Sequence, residues 1–150
     1  MAIEIRSIRA DDEALYRELL VSLNDRDRYL RFFHSVPNIG PAEVLPFVTP
    51  RDDMMGLIAI EDGKALGAAH AFIDTDGSAE LAVQVRPDYR HQGIGGKLLS
   101  SLVERLRERG VHELVAHSLF DNAEFALIAS ESQMRSEAEG GGVSLWRLPI

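Results

Sequence analysis

Val85-Arg86-Pro87-Asp88-Tyr89-Arg90-His91-Gln92-Gly93-Ile94-Gly95-Gly96-Lys97 carries the chain from an apolar strand, through a basic and glycine-bearing turn, into a long helix. Helix N-termini expose unpaired N–H groups and the positive end of the macrodipole, which makes them ready anion sites. Glycine lets a phosphate approach the backbone without a Cβ in the way. The surroundings are basic as well: from 86 to 110, six Arg and Lys residues face three Asp and Glu residues. Two phosphate-binding motifs fail here. A Walker loop needs G-x-x-x-x-G-K-[ST], but Gly96-Lys97 is followed by Leu98 and position 91 is His. The dinucleotide fingerprint G-x-G-x-x-G lacks its third glycine, and no strand-helix-strand series surrounds the turn.

The flanking segments set the fold class. Glu80-Leu81-Ala82-Val83-Gln84-Val85 reads as a strand ending at Pro87. Ile94, Leu98, Leu102 and Leu106 recur at every fourth residue of a helix over 93–109, with Leu99 and Val103 beside them and Gly110 closing it. Upstream, Ile3 and Ile5 alternate with Glu4 and Arg6 in a strand over 2–8. Leu15, Leu19, Leu20 and Leu23 stripe a helix over 12–23 that opens on Asp11 and Asp12. A second helix is expected over 25–34 and a short one over 41–48. Strands over 55–61 and 66–74 flank the hairpin pair Asp62-Gly63. Downstream lie a strand at 112–119, a helix at 122–134, a polar loop through Gly140-Gly141-Gly142 and a last strand at 143–148. Hairpin strands followed by alternating elements predict a mixed α/β (α+β) sheet flanked by helices, not a fully alternating parallel one.

The chain has 150 residues and a mass of 16.6 kDa, which predicts a single domain over 1–150. A net charge of −8 and a pI near 5.1 argue against nucleic acid or an anionic membrane as the main partner, and would attract a cationic one. With no cysteine there is no disulfide, thiolate metal site or Cys nucleophile. The five histidines show no paired ligand spacing, so no metal is expected. The N-terminus lacks the pattern of a signal peptide, and the longest apolar run, Met54 to Ile60, is far too short to span a bilayer. A cytoplasmic protein is the expectation.

R-x-x-G-x-G at Arg90–Gly95, following V-x-P, resembles the pyrophosphate turn of the GNAT-type N-acetyltransferases, which bind acetyl-CoA. The order of elements suits that fold along nearly the whole chain. Ser22-Leu23 followed by Arg28-Tyr29-Leu30-Arg31-Phe32-Phe33 resembles the early helical segment of the GNAT domains of bacterial protein lysine acetyltransferases and of those fused to ADP-forming acyl-CoA synthetases. The strand at Glu80–Val85 and the pair Asp121-Asn122 resemble their fourth strand and the Asn that opens their late helix.

The resemblance implies acetyl-CoA as cosubstrate and an amine-bearing acceptor, a protein lysine or a small amine, and it leaves room for a homodimer. It places backbone N–H groups of Val83, Gln84 and Val85 along the thioester and pantetheine, and Arg90, His91, Gln92, Gly93, Ile94, Gly95 and Gly96 around the pyrophosphate. Asn122 would meet the pantetheine, or serve only as an N-cap. Glu80 stands where many relatives carry the general base, or is an outward-facing strand carboxylate. Arg28, Arg31, Phe32 and Phe33 either pack one helix or face the acceptor. The chain departs from the family on its late helix, Asn122–Ser130, which lacks the Tyr that many relatives use as general acid, and in the missing Gly-Phe after it. These departures motivate a rival reading, a non-catalytic acyl-CoA-binding regulatory module, and the fusion of similar domains to synthetase or ligand-binding domains motivates a second, a partner-dependent domain.

Overall fold

The computed structural model describes residues 2–150. In chain order the elements are β1 (Glu4–Ser7), α1 (Glu13–Ser22), α2 (Asp25–Phe32), α3 (Pro41–Val48), β2 (Met54–Glu61), β3 (Lys64–Ile73), β4 (Ser78–Val85), α4 (Ile94–Glu108), β5 (Glu113–Leu119), α5 (Ala123–Glu131), β6 (Arg135–Gly140) and β7 (Val143–Pro149). The strands form one seven-stranded sheet in the order β1-β2-β3-β4-β5-β7-β6. Every neighbouring pair is antiparallel except β4 and β5, which run parallel. The mixed sheet expected from the sequence is therefore the one observed.

Each face of the sheet carries its own core. Leu98, Leu99, Leu102 and Leu106 of α4 pack with Phe125 and Ala129 of α5 on one face, against Leu57, Ala69, Leu81 and Leu114. Tyr16, Leu19 and Leu20 of α1 and Val44 and Val48 of α3 cover the other face, against Ile58, Ala65 and Ala68. Helix α4 comes so close to β3 that a Cβ on Gly67 would stand 2.8 Å from the Gln84 carbonyl oxygen and 3.2 Å from Leu98. The Asp62-Gly63 turn takes φ of 53° and 74°, the left-handed pair that suits a tight hairpin. Before α1, Arg6 makes a two-pronged ion pair with Asp12 at 2.7 Å, and the Arg9 N–H adds a third bond. These contacts hold the Asp12 carboxyl below its ordinary range despite burial.

The sequence reading differs from the structure at the C-terminal end. The late helix stops at Glu131, and 135–140 is a strand where a polar loop was expected. All six residues of β6 are exposed, so no apolar alternation marks them. They form a charged edge strand that pairs with β7 alone, and charge is a common guard of open sheet edges.

Candidate active site

The two parallel strands are paired only at Ser78–Glu113, Ala79–Leu114 and Glu80–Val115, and beyond Glu80 they part. The backbone groups that line the gap follow from the ladders on either side. The Asp74–Ser78 and Arg86–Leu66 hydrogen bonds fix the parity of the β3–β4 ladder, so Glu80, Ala82 and Gln84 spend their amides on β3. The Leu81 N–H is taken by the Val115 carbonyl in the last parallel pairing, so the Leu81 C=O and the N–H and C=O groups of Val83 and Val85 face the gap. In the same way the Phe120–Gly142 and Ile150–His112 bonds turn the backbone of Leu114, Ala116 and Ser118 to β7 and leave His117 and Leu119 facing β4. The result is a wedge of unpaired backbone donors and acceptors inside a cleft of about 770 Å³.

The open end of the wedge meets the start of α4. Gly93 caps the helix at φ 81°, and no side chain caps it. Lys97 N–H is the first to bond back, to Gly93, so the N–H groups of Ile94, Gly95 and Gly96 have no partner within the helix. The neighbouring glycines have different reasons. A Cβ on Gly95 would stand 2.5 Å from Ile128 Cδ1 of α5, whereas Gly93 and Gly96 have open space. Arg90 pairs with Asp27 of α2 at 3.2 Å, and His91 faces Glu124 at 3.4 Å. Asn122 caps α5 by accepting from the Phe125 N–H at 3.1 Å, and it also lines the cleft. Gln92 is exposed and stands outside the cleft lining. Gln84 is 7% exposed, with its side chain beneath the sheet at Tyr16 (3.5 Å) and its amide in the β3 ladder, so its neighbours Val83 and Val85, not Gln84, present N–H groups to the wedge.

The closed end of the wedge holds a carboxylate. Glu80 Oε1 lies 3.0 Å from Nδ1 of His117 across the strand gap, and His117 Nε2 lies 3.0 Å from Oε2 of Glu139. Glu139 reaches inward because the β6–β7 register slips between Ala138 and Gly140, and such a bulge re-aims a side chain. Sequence reasoning found Glu80 but neither of its companions. His117 alternates with the buried Leu114, Ala116 and Ser118, which puts it on the Glu80 face once the parallel register is known; Glu139 lies in the strand that left no signal.

The floor beside Glu80 is aromatic. Phe72, its register neighbour on β3, stands edge-on to Phe47 of α3 with ring centres 5.9 Å apart, and His70 lies beside both. His70 is fully buried and donates from Nε2 to the Phe47 carbonyl at 2.8 Å; burial pulls its pKa down to about 3, so the ring is neutral. Burial likewise pushes the Tyr16 hydroxyl above its ordinary value. The two arginines of α2 behave differently. Arg28 donates to the carbonyls of Val21, Leu23, Val36 and Pro37 and so ties two loops together. Arg31 stacks on the rings of Phe32 and Phe47 and lines the cleft. Among the described residues, no group of three His, Asp or Glu side chains is placed to hold a metal ion, and no helix is long and apolar enough to cross a membrane.

A sheet opened between parallel β4 and β5, with a helix N-terminus at the mouth, is the architecture of an acyl-CoA-dependent acetyltransferase fold. The chain belongs to the Acetyltransferase (GNAT) family, which it matches over residues 14–125. Its structure is similar to the GNAT domain of S. lividans PAT, with a TM-score of 0.90 and 23% identity, covering 99% of this chain and 90% of that one. It is also similar to the PaiA N-acetyltransferase of Thermoplasma acidophilum in complex with coenzyme A, with a TM-score of 0.83 and 18% identity over the full length of both. A curated relative, the L-methionine sulfoximine/L-methionine sulfone acetyltransferase of Pseudomonas paraeruginosa, is 48% identical over 40 residues, which are 27% of this chain and 23% of that protein.

Proposed function

We propose that this chain is an acetyl-CoA-dependent N-acetyltransferase that moves the acetyl group directly from thioester to primary amine. The observation that carries the reading is the wedge, with free backbone donors along its wall, a helix N-terminus at its mouth and Glu80 at its vertex. The N–H groups of Ile94, Gly95 and Gly96 would hold the pyrophosphate, where the dipole favours negative charge. Those of Val83 and Val85 would bond the carbonyls of the pantetheine arm, as an added strand bonds a sheet edge. When bound, acetyl-CoA supplies an activated acyl group whose thiolate, with a pKa near 8.5, leaves without a strong acid. That accommodates a late helix without tyrosine.

The amine must arrive neutral. A lysine-type amine, with a pKa near 10.4, is neutral in about one molecule per thousand at a pH of about 7.4, a handicap of roughly 4 kcal/mol. Glu80 takes the amine proton, directly or through water. His117, held on its far side by Glu139, fixes the Glu80 carboxylate. The nitrogen bonds to the acetyl carbon, the carbon–sulfur bond breaks with its electron pair on sulfur, and the proton goes to Glu80. The chain holds no cysteine to carry the acetyl group in between. Two acceptor classes fit: a protein lysine, suggested by the α2 motif, and a small amine, suggested by the named substrates of the Pseudomonas relative.

Thiol release from acetyl-CoA over a panel of amines and lysine peptides tests the proposal. Wild-type protein turns over, and Glu80→Gln loses about 10²- to 10⁴-fold in rate with acetyl-CoA affinity unchanged. Tight acetyl-CoA binding with no turnover on any amine would contradict the proposal and favour a non-catalytic acyl-CoA-binding module.

A further inference from the structure

The arginines that line the cleft are Arg26, Arg31, Arg51 and Arg90. Arg26 pairs with Asp121, Arg51 with Asp53 and Arg90 with Asp27. Arg31 pairs with no carboxylate among the described residues, and its Nε and Nη2 are buried without any hydrogen-bond partner. A guanidinium has five donors in a rigid fork and cannot shed its charge to escape burial. Here its central carbon lies 4.6 Å from the centre of the Phe47 ring and 4.9 Å from that of Phe32. Stacking on aromatic faces satisfies the charge in part and leaves the in-plane donors unmet. The guanidinium lies within hydrogen-bonding reach of the Tyr16 hydroxyl and its charge bears on His70, which places it over the sheet face that carries Phe72, Ala82 and Glu80, with Nε and Nη2 left over.

We infer that Arg31 is the anchor for a carboxylate on the acceptor, so that the amine acetylated here belongs to an amino acid. The inference rests on the acetyltransferase reading and narrows its acceptor class. A planar fork matches a carboxylate with two parallel bonds. With the carboxylate on Arg31, the amine of the same small molecule reaches toward Glu80 over the apolar floor of Phe47 and Phe72. A lysine side chain within a protein carries no carboxylate close to its amine and would leave the fork unmet. Arg28, on the same helix, serves as an internal contrast, because backbone carbonyls occupy its donors and it has none to offer.

The test pairs L-amino acids with their amides as acceptors, alongside a lysine peptide, in wild type, Arg31→Met and Arg31→Lys. Methionine keeps the length of the stem between the two rings, so the packing survives. The expected wild-type kcat/KM is about 10- to 100-fold higher for an amino acid than for its amide, the range of a charge-assisted bond. Arg31→Met collapses that ratio by lowering the amino-acid rate far more than the amide rate, with acetyl-CoA affinity unchanged, and Arg31→Lys restores part of it. Equal rates for acid and amide in wild type, a ratio that survives in Arg31→Met, or preference for the lysine peptide would overturn the inference and leave the acetyltransferase reading standing. If no amine is acetylated, that reading falls, and calorimetry with N-acetyl-L-amino acids in the presence of CoA still decides the anchor. Weaker binding to Arg31→Met than to wild type supports it; equal binding, or none to either, overturns it.

Discussion

The two ends of the cleft are built on different plans. The mouth comes from one contiguous stretch, Arg90 to Gly96, whose last four residues act through the left-handed Gly93 and the start of a helix. The vertex is assembled from Arg31 on α2, Phe47 on α3, Phe72 on β3, Glu80 on β4, His117 on β5 and Glu139 on β6. A local motif is specified by sequence spacing alone. A constellation drawn from six elements is specified by sheet order and register, and its residues can change without disturbing the helix that takes the anion. This division suits a scaffold in which the cosubstrate stays constant and the acceptor varies, with function residing in the site and not in the fold.

The comparison breaks most readily at Gly93. Its φ of 81° disfavours any side chain, and the space beside it is open, so Gly93→Asp brings a negative charge to the anion end without a steric clash. We expect acetyl-CoA affinity to fall at least about tenfold in titration calorimetry, at a folding cost of about 1 kcal/mol. Gly96→Ala, in helical backbone with nothing within 4 Å, serves as control and gains up to about 1 kcal/mol of stability. Equal affinity in wild type and Gly93→Asp would separate the motif from the cofactor.

The vertex can be sharpened through pH, because its floor contains a buried neutral histidine. Burial holds the His70 pKa at about 3, against an ordinary 6.5. The unfolded chain therefore takes up a proton that the folded one refuses. The stability is fully present above pH 6.5 and falls by about 1.4 kcal/mol per unit as the pH drops toward 3. Asp12, whose carboxyl is held low by Arg6, adds its loss only below the ordinary carboxylate range. Urea unfolding between pH 6.5 and 5 should show this slope in wild type and a flat line in His70→Gln, which retains an N–H for the Phe47 carbonyl. An unchanged slope in the variant would assign the acid sensitivity elsewhere.

What could be read in the sequence divides along the same line. The helix at 94–108 announces itself through leucines at every fourth position, and the turn before it through Gly93, whose left-handed φ the structure displays. The order of strands β2 to β4 follows from hairpin turns. Glu80 could be placed because its strand leads into the motif. His117 and Glu139 could not, since each acquires its neighbours through pairings between distant segments, and Arg31 offered two readings, packing its helix or facing the acceptor, that spacing does not separate. β6 illustrates the limit: its six residues are polar and exposed, and β7 alone makes them a strand. Asn122 shows that one residue can satisfy two readings, because its side chain caps α5 while lining the cleft.

The central claim is that acetyl-CoA binds as an extra strand in the gap between β4 and β5. Amide hydrogen exchange along β4, with and without CoA, tests it residue by residue. The ladder parity requires the amides of Val83 and Val85 to exchange quickly in the free protein and to become protected when CoA is added. Glu80, Ala82 and Gln84, bonded to β3, and Leu81, bonded to β5, should be slow in both states. Protection by CoA that leaves Val83 and Val85 unchanged would contradict the account.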